Sequence, residues 1–445
     1  MMLKTRDANL LDHFPGLPSF DDFCRHYFGV LRWSSAAFPT ARVDTGENDD
    51  VTWLSRDVRF PSWIKATYFL VENVALQKSL GGISDDIYQQ ERLVDHVVTP
   101  LPWDSGCNNF AATTALTTAQ KHAICQAHSA FIFGNSQHVA SYQQIIDLVH
   151  YPCHLAIFSG QQLIVRKGHP LITKAQYDGE PVVLFFDQLF LESGAVINCL
   201  ADTSIYVREL IQFAGEISNV VTEADLANVE PVVIQSLGED GKPAKPGEAG
   251  AHGQDGQPGQ PAQDGNMCCA MPASMGGQGS PGFPGKHGGN GSRGEDAFYM
   301  VLKVGYLHAR VALSNYGGNG SDGAEGGDGG DGGDGGSGGA RSRFCPAGTV
   351  GLGAVGGNGG NGGNGGNVGD GRNIYITCWR YAENSCFTVL SSRQKPGRAG
   401  KGGSGGKGGL PGGIGGQPGV QGENGQPGRP CKVFENMQLL KPAYD

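Results

Sequence analysis

Histidines and cysteines come closest to chemistry in this sequence. His122, Cys125 and His128 follow one another at three-residue intervals, with Cys107 upstream and Cys153-His154 downstream. At that spacing His122 and Cys125 fall on one face of a helix. A zinc site would need further ligands at suitable spacing, and only the distant Cys107 and Cys153-His154 are available. A thiolate nucleophile would need a base in reach and a third group to orient it. Neither set closes on the sequence, so the expectation is a structural role, with no metal and no cofactor.

Other candidates are weaker. Asp187, Glu192, Asp202 and Glu209 could serve a polysaccharide-cleaving site, but nothing fixes a pair of them. GGDGGDGGDGG (326–336) places aspartate at every third position, whereas calcium-binding RTX repeats need GGxGxD and an apolar residue at period nine. Cys268-Cys269 reads as a packed loop cap, with a redox or metal site as the alternative. For binding, Trp379, Arg380 and Tyr381, together with Tyr306 and His308, are the best contact candidates, because aromatics and arginine dominate interface hot spots. The alternative for Trp379 is packing against the flank of its scaffold. No enzyme signature stands out.

The elements that would position these residues are dominated by glycine. Of 445 residues 73 are glycine, more than twice the usual share of about 7%, and they concentrate after residue 237. Glycine recurs every third residue in five blocks between 238 and 430, the repeat of polyproline II and polyglycine II helices. Collagen and a flexible linker are the competing readings. Against collagen, GGDGGDGGDGG and GGNGGNGGNGGN lack proline, and two apolar stretches interrupt the ladder. Against a linker, the register persists block after block. A GGX helix has two bare ridges through which neighbouring backbones can bond. That argument puts 317–339, 357–371 and 400–416 inside a bundle, and 238–265 and 416–430 at its edges. The interruptions, 297–313 and 373–390, alternate apolar and polar residues and read as β-hairpins, the second turning at Ala382–Ser385.

Upstream, Ser19/Asp22, Thr117/Gln120 and Ser141/Gln144 mark three helix starts. Residues 162–168, 188–194, 209–215 and 232–238 align as a second repeat, each ending in glycine; such repeats indicate a β-solenoid. The expected fold is therefore multidomain. It comprises an α+β head (1–153), a short parallel β-solenoid (154–237), a polyglycine II helix bundle (238–430) with inserted β-hairpins at 297–313 and 373–390, and a C-terminal tail (431–445).

Net charge is −10, which argues against nucleic acid as the main partner. No run of eighteen apolar residues suggests a membrane span, and MMLKTRDANLLDHFPGL lacks a signal-peptide core. Eleven scattered cysteines suit a reducing compartment, or a few accidental bridges.

Through GGDGGDGGDGG, GGNGGNGGNGGN and GKGGSGGKGGLPGG, residues 238–430 resemble the polyglycine-sandwich adhesins at the tips of T-even-like phage tail fibres. Similar ladders occur in a small glycine-rich arthropod antifreeze protein. In the phage family, loops at the far end of the bundle bind the host receptor. The resemblance implies a non-enzymatic adhesion protein that binds a cell-surface receptor, glycan or protein, and acts outside the cell or on a virion without a cleavable signal peptide. A secreted toxin with a glycine-rich binding region and a self-assembling filament protein are the alternatives, and homo-oligomerisation stays open.

Overall fold

A computed structural model describes residues 19–28, 42–47, 51–60, 62, 64–85, 99–103, 113, 115–176, 180–391, 394–436 and 438–440. The chain is α/β, with few helices, one parallel sheet, one mixed sheet and a two-stranded antiparallel sheet among the described residues. In chain order the first elements are α1 (Phe20–Phe28), β1 (Arg42–Asp44), β2 (Thr52–Ser55), β3 (Thr67–Val71), α2 (Val74–Gly81), α3 (Thr118–Phe133) and α4 (Gln143–His150). Then come β4 (Cys153–Val165), β5 (Leu171–Lys174), β6 (Val182–Glu192), β7 (Val196–Leu200), β8 (Thr203–Ala214), β9 (Glu216–Val220) and β10 (Val232–Leu237). The glycine-rich half contributes β11 (Gln263–Asp264), β12 (Cys269–Met271), β13 (Met300–His308), β14 (Arg310–Tyr316), β15 (Ile374–Tyr381) and β16 (Cys386–Val389). The chain closes with β17 (Val433–Glu435) and β18 (Gln438–Leu440).

Successive passes of the chain feed two sheets in turn. The first runs β1-β4-β6-β8-β13-β15-β17-β18, and the second runs β2-β5-β7-β10-β14-β16. Every pair in the second sheet is parallel. In the first sheet only β3, β9 and β18 pair antiparallel. Sheets covered on both faces favour near-continuous apolar strands, and β6 reads VVLFFDQLFLE. Leu184, Phe186 and Val207 face a core shared with Ile197 and Ile234 of the second sheet. Val183, Phe185 and Tyr206 face the helices, packing with Phe23 of α1 and Phe131 of α3. The capping box at Thr117 and Gln120 starts α3 as its sequence indicates, and Ser19 caps α1. Ser141 does not cap α4; its hydroxyl accepts the Trp103 amide instead.

Several expectations need correction. The stretches 297–313 and 373–390 are not hairpins. β13 pairs in parallel with β8 and β15, while β14 pairs in parallel with β10 and β16. The turn at Ala382–Ser385 exists, with Asn384 at φ 60°, but it carries the chain from one sheet to the other. Parallel addition extends a core that β8 and β10 leave open at their edges; an isolated hairpin would have to find its own. In the repeat, the first three segments stack in register, as Gln162↔Gln188↔Glu209, and end in left-handed turn glycines Gly168, Gly194 and Gly215. The fourth, 232–238, belongs to the second sheet beside β7. The 216–220 strand, β9, is a hairpin return against β8. Head strands β1–β3 and tail strands β17 and β18 join the same sheets, so sheet boundaries do not follow the expected segment boundaries.

Three excursions leave the second sheet and return to the first, each as two extended tracts joined by a turn. Tracts 1 (238–261) and 2 (273–296) link β10 to β13. Tracts 3 (317–340) and 4 (348–371) link β14 to β15, and tracts 5 (395–410) and 6 (413–430) link β16 to β17. Odd tracts bond to one another in a row, as from Gly250 N to Asp328 O (2.7 Å) and from Gly332 N to Lys407 O (2.8 Å). Even tracts form a second row, as from Gly291 N to Asn364 O (2.7 Å) and from Gly365 N to Glu423 O (2.7 Å). The rows are cross-linked, as from Gly327 N to Lys286 O and from Gly357 N to Gly330 O, both 2.8 Å. Tract 3 thus bonds to tracts 1, 2, 4 and 5, whereas tract 1 bonds only to 2 and 3. Bare ridges follow this environment. A Cβ on Gly329 would lie 1.9 Å from Gly357 O, and one on Gly330 would lie 1.9 Å from Ala251 O.

Two amides per triplet are satisfied in this way in tracts 2, 3 and 4, and one in tracts 1, 5 and 6. In many triplets the amide of the residue between the glycines is satisfied by a side chain of the preceding tract in the same row. Asp322 accepts from Arg398 N and Asp331 from Lys407 N, at 2.7 and 2.6 Å. Asn361, Asn364 and Asn367 accept from Val420, Glu423 and Gln426 N at 2.8–2.9 Å. Most caps point to the next tract of the same row, whereas Ser274, Ser280, Ser321 and Asn424 cap an earlier tract. The last tracts have no later tract in their row to cap, and their matching positions are Lys401, Ser404, Lys407, Gln417, Val420 and Glu423. The first tracts have no predecessor, and there Pro243, Pro246, Pro258, Pro281 and Pro284 remove the amide that would lack a cap.

Losing one such cap should cost about 1 kcal/mol. Asn364→Ala should therefore speed hydrogen exchange at the Glu423 amide by about fivefold, while Glu423→Ala leaves the other tract amides unchanged; equal exchange in both variants would dismiss the caps. The Ser404 hydroxyl, then its amide, hold the Asp328 carboxyl below its usual value. The folded value lies below the unfolded one, so this contribution is complete above about pH 4 and lost as pH falls through the folded value. A carboxyl carbon titration should place the Asp328 midpoint below 3.8.

Candidate functional site

The aromatic and arginine candidates divide. Trp379 is buried, 6% exposed, beneath α1, with ring centroids of Phe23, His26 and Tyr27 at 5.7, 5.6 and 5.8 Å. It is a core residue, because the face of β15 that carries it is the one the helices cover. Tyr381 is half-buried and donates its hydroxyl to Glu435. Tyr306 and Arg380 are register partners on β13 and β15, and the guanidinium sits 5.8 Å from the Tyr306 ring centre. Glu223 joins them: Tyr306 Oη lies 3.5 Å from its carboxylate, and Asn384 donates to its carbonyl at 3.0 Å. His308 lies beside Tyr306, its Nε2 buried without a hydrogen-bond partner. Tyr306, His308 and Arg380 thus form a small polar patch on the flank, without Trp379.

The histidine–cysteine cluster does not assemble. His122 bonds to Gln126 at 3.0 Å, while His128 stacks on His150 at 4.7 Å. Burial, and then His150, push the His128 imidazole down to about 3 and keep it neutral. The Tyr151 hydroxyl lies 3.0 Å from His128 Nε2 and donates to Gln77. These groups line a cavity of about 330 Å³ that also meets the Arg56–Glu180 ion pair at 3.2 Å. No three metal-ligating side chains converge among the described residues. Cys107 lies outside the described residues.

The acidic candidates all have structural partners. Arg208 binds Asp187 at 2.5 Å and Glu209 at 2.6 Å. Glu192 accepts the Lys167 amide. Asp202 is buried, which raises its carboxyl pKa, and accepts the Tyr299 amide.

A surface that the sequence does not advertise lies at the far end of the tracts. The turn between tracts 1 and 2 carries the β11–β12 hairpin, and Cys269 in it forms a disulfide with Cys345 of the next turn, 76 residues away. Asp264 adds a second link, accepting the Arg343 and Phe344 amides at 3.0 Å and the Ser342 hydroxyl. Around this joint apolar side chains face solvent: Met267 is 91% exposed, Met271 56%, Met275 68% and Phe344 42%. Cys268, beside the bridge, is exposed and free. The third turn stops short. The Leu410 amide is capped by Asp334, whereas tract 3 continues to Ala340. Leu410 and Ile414, each 72% exposed, therefore form a step below the summit.

No protein-family model matches the chain, and no curated protein matches it. Among solved structures, one match is a springtail antifreeze protein from Granisotoma rainieri, described as a bundle of nine polyproline type II helices whose crystal waters match the ice lattice. It is 24% identical and covers 41% of this chain and 94% of its own, with a TM-score of 0.08. At that TM-score the likeness carries no structural argument.

The joint at the summit makes its own prediction. Cys345→Ser removes the bridge cleanly, whereas Cys269→Ser leaves Cys268 next door to replace it. Cys345→Ser should raise hydrogen exchange across 263–271 and 342–349 and leave Gly327 and Gly330, bonded within the tracts, as protected as before. Loss of protection along the whole of tract 3 would mean that the disulfide, not the amide lattice, holds the tracts together.

Proposed function

We propose that this protein is a non-enzymatic recognition or adhesion protein, in which a helix-capped parallel β-solenoid carries a polyglycine II bundle as a rigid arm. The observation that carries the reading is the joint at the summit: exposed turns of separate excursions are fastened together at the end of tracts whose amides are bonded along their length. Loops on a rigid scaffold suit binding. The partnered state of Asp187, Glu192, Asp202 and Glu209 supports a role without catalysis. The disulfide favours an oxidising, extracellular setting. No helix among the described residues is long and apolar enough to cross a membrane. The resemblance of 238–430 to phage adhesins, whose far-end loops meet the receptor, points the same way. Filament growth is disfavoured at the trailing edge, where Pro418, Pro427 and Pro430 line tract 6 and antiparallel β18 ends the first sheet.

Labelled protein applied to a panel of intact bacterial and animal cells tests this. Met267→Ser with Phe344→Ser should lower binding at least tenfold on the cells that the parent binds, with Tyr306→Ala and Arg380→Ala marking any share of the flank. Binding that no tip or flank variant alters, or binding to no cell type, would remove the recognition reading.

A further inference from the structure

The composition of the summit suggests what it meets. Met267, Met271 and Met275 supply long, flexible apolar side chains, and Phe344 adds a ring. Arg341 and Arg343 sit in the same turn, exposed and with no carboxylate partner among the described residues; the Arg343 guanidinium lies 5.2 Å from the centre of the Phe344 ring. The nearby acid, Asp264, is occupied by Ser342, Arg343 and Phe344. Arg341 and Arg343 against the single carboxylate of Asp264 leave the summit one net positive charge in a chain of net charge −10. An acyl layer takes up flexible apolar side chains, and arginine stems can lie along apolar groups while their heads reach phosphate.

We propose that the summit of the arm binds anionic lipid surfaces, with Phe344 and the Met267 and Met271 side chains entering the acyl boundary and Arg341 and Arg343 meeting lipid phosphates. The proposal rests on the arm being a recognition device and names its partner class. Insertion of such groups reaches about 5–10 Å. The Leu410–Ile414 step lies six residues further back, about 19 Å at 3.1 Å per residue, and stays outside the lipid although it is equally apolar.

The test is flotation of the full-length protein with phosphatidylcholine vesicles containing one-third phosphatidylserine, at physiological salt. The protein should float with these vesicles and not with pure phosphatidylcholine. Met267→Ser with Phe344→Ser, and separately Arg341→Gln with Arg343→Gln, should each lower the bound fraction at least tenfold. Leu410→Ser with Ile414→Ser should leave it unchanged and serves as the control for apolarity alone. No flotation, flotation equal on neutral vesicles, or loss of flotation only in the step variant overturns the proposal. Cell binding measured in parallel separates the two claims. Cells bound through the summit without vesicle binding would indicate a protein or glycan receptor, and sedimentation as a Phe344-dependent dimer would indicate a second copy; either result ends the lipid reading. Vesicle flotation together with cell binding that survives protease shaving of the cells supports it.

Discussion

The spacing of paired β-strands governs the rest of the molecule. Each excursion starts from one second-sheet strand, and the next starts from that strand's hydrogen-bonded neighbour, since β10 pairs with β14 and β14 with β16. Neighbouring strands lie about 4.8 Å apart. Tracts 1, 3 and 5 therefore leave the sheet almost in contact, as tracts 2, 4 and 6 return to it. Extended chains with side chains all round cannot lie side by side at that distance. Glycine on the facing ridges removes the obstacle, and the exposed amides then find carbonyls on the neighbour. Glycine is the costliest residue to order, and here bonds along every tract offset that cost.

Once the tracts are close, every remaining amide needs an acceptor, and that requirement explains the residues between the glycines. Aspartate and asparagine are short, accept well, and sit wherever a later tract must be capped. The side-chain bonds keep one sequence offset within each interface: 79 residues from tract 1 to 3, 76 from 3 to 5, 74 from 2 to 4 and 59 from 4 to 6. A constant offset means one register without slippage. Strand register is fixed by the sheets, and the excursion lengths carry it outward. The charge columns of the sequence, Asp328-Asp331-Asp334 and Lys401-Lys407, are thus lattice chemistry first and surface electrostatics second.

What the sequence discloses follows from how local each cause is. Thr117 and Gln120 lie three residues apart, and their capping box is legible. Gly168, Gly194 and Gly215 are legible because a left-handed turn needs glycine wherever it occurs. Bare ridges are legible as well, since they record neighbour number in the triplet itself. The partner of β13 is not. Met300 pairs with Thr203 and with Ile374, and alternation of apolar and polar residues is the same for a hairpin and for one layer of a stack. Trp379 misleads for a related reason: the face that it occupies is covered by α1, more than 350 residues earlier in the chain. The summit is the least legible, because Cys269 and Cys345 meet only when the tracts are in register.

The turns are also where the lattice stops dictating sequence. Inside a tract one residue in three must be bare, another often caps a neighbour, and proline is confined to ridges without a predecessor or successor. Met267, Met271, Arg341 and Phe344 lie beyond the last inter-tract bonds, and none of those rules reaches them. Their side chains do not fill the core between the sheets or the one beneath the helices. Residues exposed for folding reasons alone would be polar, as the ordinary cost of apolar exposure requires. An arm that uses so many residues to hold two turns together, and then lines those turns with methionine, phenylalanine and arginine, concentrates its unexplained chemistry at one place. That place is the part of the molecule farthest from its core, where a surface could reach it first.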